Sequence, residues 1–159
     1  MAEPLAGRRI QICGVVQGVG FRPFVYGLAK RLDVKGWVCN TSGGVKIEVN
    51  GSFLAIEKFE KLLFENAPPL AKIEDFNSET IPLNGFKKFE ILHSQEIGDA
   101  FQPVCADVSI CKDCLEEIFD PEDRHFRYPF TNCTNCGPRY TIIKELPYDR
   151  SKTRMAGFK

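Results

Sequence analysis

Two groups of residues in this 159-residue chain have the types and the spacing to do chemistry. The first is the run GVVQGVGFRP at residues 14–23, where glycines are followed by an arginine and a proline. Gly18 and Gly20 can turn backbone N–H groups inward around an anion, and Arg22 offers a planar fork that matches phosphate or carboxylate oxygens. The run therefore predicts an anion site at a strand-to-helix junction. The alternative is a tight turn with a surface arginine, because such short glycine patterns are weak signals.

The second group consists of four cysteines spaced as C-x2-C, eighteen residues and a second C-x2-C. Each C-x2-C turn can present two sulfurs to one ion, so the pattern predicts a tetrahedral zinc site. The predicted ligands are Cys111, Cys114, Cys133 and Cys136. Four thiolates leave no open position for water, so this zinc would be structural. A redox dithiol is the rival function, but neither pair lies at a strand-to-helix junction of a βαβ unit.

Hydrophobic periodicity predicts the elements that position the anion loop. RRIQICGVV predicts a strand before the loop, and PFVYGLAKRLD predicts a helix after it, with Phe24, Leu28 and Leu32 at four-residue spacing. GWVCN and VKIEVNG, separated by TSGG, predict a hairpin. SFLAIEKFEKLLFENA predicts a second helix with Ser52 as its N-cap. IEDFNSETI and FKKFEILHS predict two further strands.

The resulting order is β-α-β-β-α-β, with a short terminal strand left open, which indicates an α+β, ferredoxin-like sandwich. The second helix places its apolar residues along one face, namely Phe53 or Leu54, Ile56, Phe59, Leu63 and Phe64. Only two of the seven cysteines precede residue 100, and this uneven placement divides the chain. We expect a domain at residues 1–95, a polar linker at 96–104 and a small zinc-binding segment at 105–159.

Charge and composition exclude several classes of partner. Lysine plus arginine and aspartate plus glutamate number 21 each, so no net field would recruit a nucleic acid or a membrane surface. The amino terminus has no signal-peptide pattern, and no segment approaches the roughly 18 apolar residues of a membrane span. We therefore expect a soluble, cytoplasmic protein with reduced or metal-bound cysteines. The basic runs RHFRYPF and KTRMAGFK are too modest to favour a zinc-dependent nucleic-acid binder.

The loop and the hairpin together resemble the acylphosphatase family. VQGVGFR is similar to that family's phosphate-cradling loop, and GWVCNTSGG is similar to its second signature. The resemblance covers about residues 8–93 and implies an acylphosphatase fold that hydrolyses acyl phosphates. It implies that Arg22 clamps the phosphoryl oxygens and that Asn40 orients the attacking water. The cradle would be formed by the backbone amides of Gln17, Gly18, Val19, Gly20, Phe21 and Arg22.

The implied chemistry needs no catalytic histidine. An acyl phosphate has a good leaving group, so positioning and charge stabilisation can carry its hydrolysis. We therefore interpret His93 and His125 as ordinary strand-end and loop residues. Cys13 and Cys39 are interpreted as small core residues and Cys105 as a thiol outside the zinc site.

The last third of the chain resembles a second family. The segment EEIFDPEDRHFRYPFTNCTNCGPRY is similar to the first zinc finger of the HypF family, carbamoyltransferases of nickel–iron hydrogenase maturation that begin with an acylphosphatase domain. The resemblance implies that carbamoyl phosphate, or a similar small acyl phosphate, is the substrate. In that family ATP and carbamoyl phosphate supply a carbamoyl group that passes to the carboxy-terminal cysteine of HypE and becomes the cyanide precursor. A HypE-type protein would therefore be the partner of the full-length protein.

Members of that family continue with a second finger and further domains, whereas this sequence stops at Lys159. We interpret it as an amino-terminal fragment, truncated before the second finger, in which ATP binding and transferase activity are not expected. Two alternatives stay open. The four cysteines could form one local zinc site, or they could be halves of two sites completed by the second finger. The loop could hydrolyse its substrate, or it could only bind phosphate while the zinc segment docks onto later domains or HypE.

Overall fold

The computed structural model describes residues 4–96, 102–138 and 140–157, and its centre is a five-stranded sheet. The strands are β1 (Leu5–Val15), β2 (Lys35–Thr41), β3 (Gly44–Ser52), β4 (Lys72–Ile81) and β5 (Phe89–Ile91). Their order across the sheet is β4-β1-β3-β2-β5, and every pairing is antiparallel except that of β2 with β5. The predicted ferredoxin-like order and its short terminal strand are therefore confirmed.

Two helices, α1 (Phe21–Arg31) and α2 (Phe53–Glu65), pack on one face of this sheet. Successive side chains of a strand point to opposite faces, so alternate residues of the central strands meet the helices. Ile10 and Ile12 of β1 and Ile47 of β3 are fully buried in this layer. The loop between β1 and α1 and the end of β2 lie at the same edge of the sandwich, because β1 and β2 are both paired with β3 in the antiparallel direction.

Both helices begin with residues that are favoured or tolerated in a first helical turn, but α1 begins earlier than predicted. α1 begins at Phe21, two residues before the predicted start, so Pro23 lies within its first turn. Proline is tolerated there because the first N–H groups of a helix have no partner within the helix. Ser52 caps α2 as predicted, with its Oγ accepting a hydrogen bond from Ala55 N at 3.3 Å.

The buried face of α2 is narrower than the sequence predicts. Ile56, Phe59 and Leu63 are buried, at the three- and four-residue spacing of a single helical stripe. The other predicted members, Phe53, Leu54 and Phe64, are each at least 40 % exposed. Phe64 instead packs against Phe76 of β4, with ring centroids 4.7 Å apart. The sheet lies under only one side of α2, so apolar residues at the margin of the stripe stay half in water.

Replacing Phe59 by alanine is expected to lower the free energy of unfolding by about 3–5 kcal/mol, because it leaves a cavity between α2 and the sheet. Leu54→Ala, on the same helix but 60 % exposed, is the matched control and is expected to cost under about 1 kcal/mol. Urea denaturation followed by circular dichroism measures both. Equal losses in the two variants would contradict the assignment of the buried face.

The segment after residue 101, called the tail below, packs against this sandwich. It contains α3 (Lys112–Phe119) and two short 3-10 turns at Tyr140–Ile142 and Arg150–Lys152. Gln102 is buried, and its Nε2 donates to the Gly14 carbonyl at 2.7 Å. Most of the predicted linker at 96–104 lies outside the described residues, which resume at 102. Across the described ranges, every helix falls short of the length and apolar character that a membrane span requires.

Candidate active site and cysteine cluster

The glycine-rich loop between β1 and α1 is anchored on one side and borders a cavity on the other. Val19 and Phe21 are buried and hold the loop in the core. Gly18 and Gly20 have φ angles of 71° and 77°, in the left-handed region that favours glycine. Gly20 is also the N-cap of α1 and supplies no side-chain cap, so the partial positive charge of the helix amino terminus faces the loop. The loop therefore has the curvature and polarity of an anion-binding turn.

The side chain of Gln17 is buried and braces the loop. Its Nε2 donates to the carbonyls of Thr41 at 2.7 Å and Gly44 at 2.9 Å, across the β2–β3 turn. Its Oε1 accepts a hydrogen bond from Tyr148 N, in the tail, at 2.9 Å. Both side-chain N–H donors are thus already used, so an anion in the cavity can accept a hydrogen bond from Gln17 only at its backbone N–H.

Arg22 reaches from the first turn of α1 to the tail, and its side chain is 15 % exposed. Its Nη1 donates to Asp149 Oδ1 at 2.9 Å, and its Nη2 donates to the Tyr148 carbonyl at 2.9 Å. A guanidinium carries five N–H groups, so Arg22 keeps donors beyond these two for an anion. Arg22 also lines the cavity, so an anion bound there would lie beside the guanidinium.

Asn40 lies near the end of β2, is 1 % exposed and lines the same cavity. Its Nδ2 donates to the Tyr148 carbonyl at 2.9 Å, so a single carbonyl oxygen accepts from both Asn40 and Arg22. Its Oδ1 is buried and accepts no hydrogen bond from the described residues. A buried acceptor without a donor is costly, so Asn40 Oδ1 is suited to a water or a ligand donor inside the cavity.

Asp149 is partly buried beside Arg22. Burial alone would raise the pKa of its carboxyl, but hydrogen bonds from Ser94 and Arg22 and the guanidinium charge together hold that pKa below its ordinary value. Ser94 N donates to Asp149 Oδ2 at 3.2 Å. A carboxyl with a lowered folded-state pKa stabilises the fold fully above its unfolded pKa of about 3.9 and loses that contribution as pH falls through its folded pKa. The Asp149 carboxyl is therefore ionised at neutral pH.

These groups surround a cavity of about 220 Å³ between the sandwich and the tail. The sandwich contributes Gly18, Gly20, Arg22 and Asn40, and the tail contributes Thr134, Pro138 and Tyr148 among others. The cavity thus brings together the glycine loop, the arginine and the asparagine that lie in separate motifs of the sequence. Arg22 and Asn40 give part of its lining a positive charge and hydrogen-bonding groups, which suits a small anion with a hydrogen-bonding group attached.

The tail side of this cavity was not predicted from the sequence. Tyr148 and Asp149 meet Arg22 across more than 120 positions of the chain, and Ser94 meets Asp149 across 55. Contacts at such separations depend on how two units dock, and hydrophobic periodicity carries no information on docking. The local pattern LPYDRSK contains nothing that distinguishes a site aspartate from a surface one.

The four tail cysteines converge where α3 begins and at the turn that holds the second pair. Their Sγ atoms all lie within 4.8 Å of one another. Cys111 and Cys133 are 3.5 Å apart at sulfur, and Cys114 and Cys136 are 3.8 Å apart. A tetrahedral zinc with Zn–S bonds of about 2.3 Å has its sulfurs roughly 3.8 Å from one another. The cysteines are free thiols rather than disulfides, and their arrangement fits a zinc ion.

One stretch of the described chain supplies all four sulfurs, as a local zinc site requires. Burial raises the pKa of the Cys114 thiol, and hydrogen bonds with the neighbouring thiols raise it further. Burial is also the largest cause of the raised pKa of Cys133. Without a metal these thiols stay protonated at neutral pH, and a bound cation would displace their protons.

Cys39, Cys105 and His125 lie outside the cavity and outside the four-cysteine cluster. Cys39 is fully buried, and burial raises the pKa of its thiol, so it remains protonated at neutral pH. Cys105 is partly buried and packs against the core of the sandwich. His125 Nδ1 lies 2.9 Å from Glu117 Oε2 and 3.1 Å from Asp123 Oδ1 on the partly exposed side of the tail. These surroundings agree with the sequence interpretation of Cys39 as a core residue and His125 as a loop residue.

Comparisons with known proteins divide the chain in the same way. A family model described as acylphosphatase matches residues 8–91, and one described as HypF finger matches residues 110–143. The chain is 47% identical over 150 residues to a carbamoyltransferase HypF of Synechocystis sp., covering 94% of this chain and 19% of that protein. It is 40% identical over 85 residues to an acylphosphatase of Bacillus licheniformis, covering 52% of this chain and 93% of that protein.

A crystal structure of full-length HypF in the phosphate- and nucleotide-bound form is 46% identical to the chain. It superposes with a TM-score of 0.95 and covers 100% of this chain and 21% of that one. The chain thus spans about a fifth of the length of the HypF relatives it matches. Because the superposition covers the whole chain, the packing of the tail on the sandwich recurs in that crystal structure.

Proposed function

Because the chain belongs to the acylphosphatase family over residues 8–91, we propose that its first domain hydrolyses a small acyl phosphate, with carbamoyl phosphate as the substrate. The observation that carries this proposal is the convergence of the glycine loop, Arg22 and Asn40 on one cavity of about 220 Å³. Carbamoyl phosphate is chosen because the relatives that match nearly the whole chain are named carbamoyltransferases, and this compound is an acyl phosphate that carries a carbamoyl group.

In this proposal the phosphoryl group binds against the glycine loop. Its oxygens accept hydrogen bonds from the backbone amides of residues 17–22 and from the remaining donors of Arg22. The positive φ angles of Gly18 and Gly20 curve the backbone around the anion, and the amino terminus of α1 adds partial positive charge. These donors are fixed before substrate arrives, so they stabilise the charge of the transferring phosphoryl group without reorganising.

Asn40 is assigned to the attacking water. Its buried Oδ1 accepts a hydrogen bond from that water, which aims an oxygen lone pair at phosphorus. The new P–O bond forms as the bond between phosphorus and the acyl oxygen breaks, and the acyl group leaves as carbamate. The water proton passes to a phosphate oxygen or to solvent. Carbamate is a good leaving group, so the reaction needs no strong base beside the water.

The tail is assigned a structural zinc held by the four clustered cysteines. A four-thiolate site has no open position, so the metal would stabilise the tail and take no part in hydrolysis. In a full-length protein of the HypF kind, we infer that the carbamate released at this site would be activated by ATP bound in other domains, and that its carbamoyl group would then pass to a HypE-type partner. That inference rests on the family resemblance and on the relatives' names.

Replacing Asn40 by alanine is expected to lower kcat for phosphate release from carbamoyl phosphate about a hundredfold, because the water loses its orienting acceptor. The loss should appear mainly in kcat, since the proposed phosphoryl contacts lie with the loop and Arg22. Colorimetric phosphate release by the purified chain measures this effect.

The matched control is Asn77→Ala, an exposed asparagine on the edge strand β4, which is expected to keep full activity. Circular dichroism melting of both variants checks that the fold is retained. Saturable phosphate binding by the wild-type chain without any turnover would refute hydrolysis and support a phosphate-binding module instead. Turnover that survives in the Asn40 variant would remove Asn40 from the mechanism.

A further inference from the structure

We propose that the tail completes the acyl phosphate site, with Asp149 as a positioning residue for Arg22 and the Tyr148 carbonyl as a positioning group for Asn40. This inference rests on the proposed function of the cavity. Tyr148 and Asp149, called the strap below, lie in a part of the chain beyond the match to the acylphosphatase model, which ends at residue 91. The strap also lies beyond the match to the HypF finger model, which ends at residue 143, so the active site would be shared between the acylphosphatase segment and a segment that neither family model covers.

The first observation that supports this inference is that Arg22 and Asn40, the two proposed functional side chains of the sandwich, both donate hydrogen bonds to the strap. Arg22 donates to Asp149 Oδ1 and to the Tyr148 carbonyl, each at 2.9 Å. Asn40 donates to the same carbonyl at 2.9 Å. Two contacts to a planar guanidinium fix its orientation, whereas a free arginine side chain would populate many rotamers. One carbonyl that accepts from both groups also fixes their relative position.

The second support is that the strap is itself held by the sandwich. Tyr148 N donates to Gln17 Oε1 at 2.9 Å, and Ser94 N donates to Asp149 Oδ2 at 3.2 Å. Gln17 is in turn held by the β2–β3 turn through its two donors. The strap is thus tied to the loop on one side and to the chain after β5 on the other. Such ties turn it into a rigid support for Arg22.

The third support is the close fit of the tail backbone to the glycines of the loop. A Cβ atom on Gly20 would lie 2.2 Å from the Thr134 carbonyl oxygen, and one on Gly137 would lie 2.2 Å from the Gly18 carbonyl oxygen. Side chains at these positions would push the two segments apart. The glycines therefore serve the docking of the tail as well as the curvature of the loop, and together the two segments enclose the cavity.

The strap leaves Arg22 able to bind substrate. Asp149 and Ser94 each accept from Nη1 and the Tyr148 carbonyl accepts from Nη2, which leaves two of the five N–H groups of the guanidinium. A strap that blocked the site would instead compete with the phosphoryl group for the same donors. The two roles make opposite predictions, because removing a support lowers activity and removing a competitor raises it.

The test replaces Asp149 by asparagine, which keeps the shape and removes the charge. We expect kcat/KM for carbamoyl phosphate to fall about tenfold, the size of a typical coupling between contacting charged groups. We also expect the dissociation constant of inorganic phosphate, measured by calorimetry, to rise about tenfold for the same reason. In an Arg22→Lys background the same substitution should have a smaller effect, because lysine keeps the positive charge but lacks the planar fork that Asp149 orients.

Asp107→Asn, an exposed aspartate of the tail, is the matched control and should leave both constants unchanged. Zinc content measured on each variant should stay equal to that of the wild type. Unchanged or improved constants in Asp149→Asn would overturn the inference, and so would an equal loss in the Arg22→Lys background. If Arg22→Ala abolishes turnover while Asp149→Asn is silent, the inference fails and the proposed function stands. If the wild type has no turnover, the proposed function fails, and the phosphate dissociation constants still decide the inference.

Discussion

Replacing Arg22 by alanine is expected to lower kcat/KM for carbamoyl phosphate about a thousandfold, at the upper end of the loss for one preorganised donor group. The substitution removes a positively charged side chain that lines the cavity from the sandwich. It also removes the partner of Asp149, so an unpaired carboxylate would remain at a site meant to bind an anion. Repulsion between that carboxylate and the phosphoryl group would add to the loss.

Two further variants separate charge from geometry at this position. Arg22→Lys keeps the positive charge but loses the planar fork, so we expect activity between those of the wild type and the alanine variant. Arg31→Ala, exposed in the last turn of the same helix, is the matched control and should retain full activity. Phosphate release measured over a range of substrate concentrations gives kcat and KM for each. Activity that persists in Arg22→Ala would assign the hydrolysis to another site or to a contaminant.

The sandwich could be predicted from the sequence because each of its elements is specified locally. Buried apolar residues such as Ile10 and Ile12 recur at every second position in β1, which is the pattern of a strand. Ser52 is of a residue type favoured at helix N-caps, and it marks the start of α2. Which apolar residues at the margin of the buried face of α2 are covered could not be predicted in this way. Whether Phe64 is covered depends on where β4 lies beneath the helix, and that position is set by tertiary packing.

The candidate site could be predicted only where its residues belong to contiguous motifs. The glycine loop, Arg22 and Asn40 stand in two short runs whose residue types match a phosphate site. Asp149 and Ser94 join the site only through the docking of the tail on the sandwich. An aspartate that pairs with a partly buried arginine has the same sequence signal as one that faces water, so the sequence of the tail alone does not identify Asp149.

The cysteine cluster could be predicted from the sequence in part. The C-x2-C spacing predicts a metal site from geometry alone, because each turn presents two sulfurs on one side. The sequence left open whether the pairs meet each other or pair with a second finger. The convergence of the four Sγ atoms within 4.8 Å is a property of the folded tail, in which α3 brings Cys114 beside Cys136.

Removal of the metal is expected to destabilise the fold of the tail more than that of the sandwich. Among the described residues from 102 onward, no leucine, isoleucine, valine or aromatic side chain is buried. The tail therefore has little apolar core of its own, and binding of a structural zinc, worth about 10–16 kcal/mol in zinc-finger peptides, would supply most of its folding free energy. The sandwich keeps its own core and should remain folded without the metal.

Replacing Cys136 by serine should lower the zinc content from about one ion per chain to near zero and expose the tail to proteolysis, since three thiolates close the site poorly. Cys105→Ser, outside the cluster, is the control and should keep both zinc and protection. Because Thr134 and Tyr148 line the cavity, the Cys136 variant should also lose activity as the Asp149 variant does. Zinc retained in Cys136→Ser would contradict the four-thiolate site. Zinc lost with the tail still protected would show that packing against the sandwich, rather than the metal, holds the strap beside Arg22.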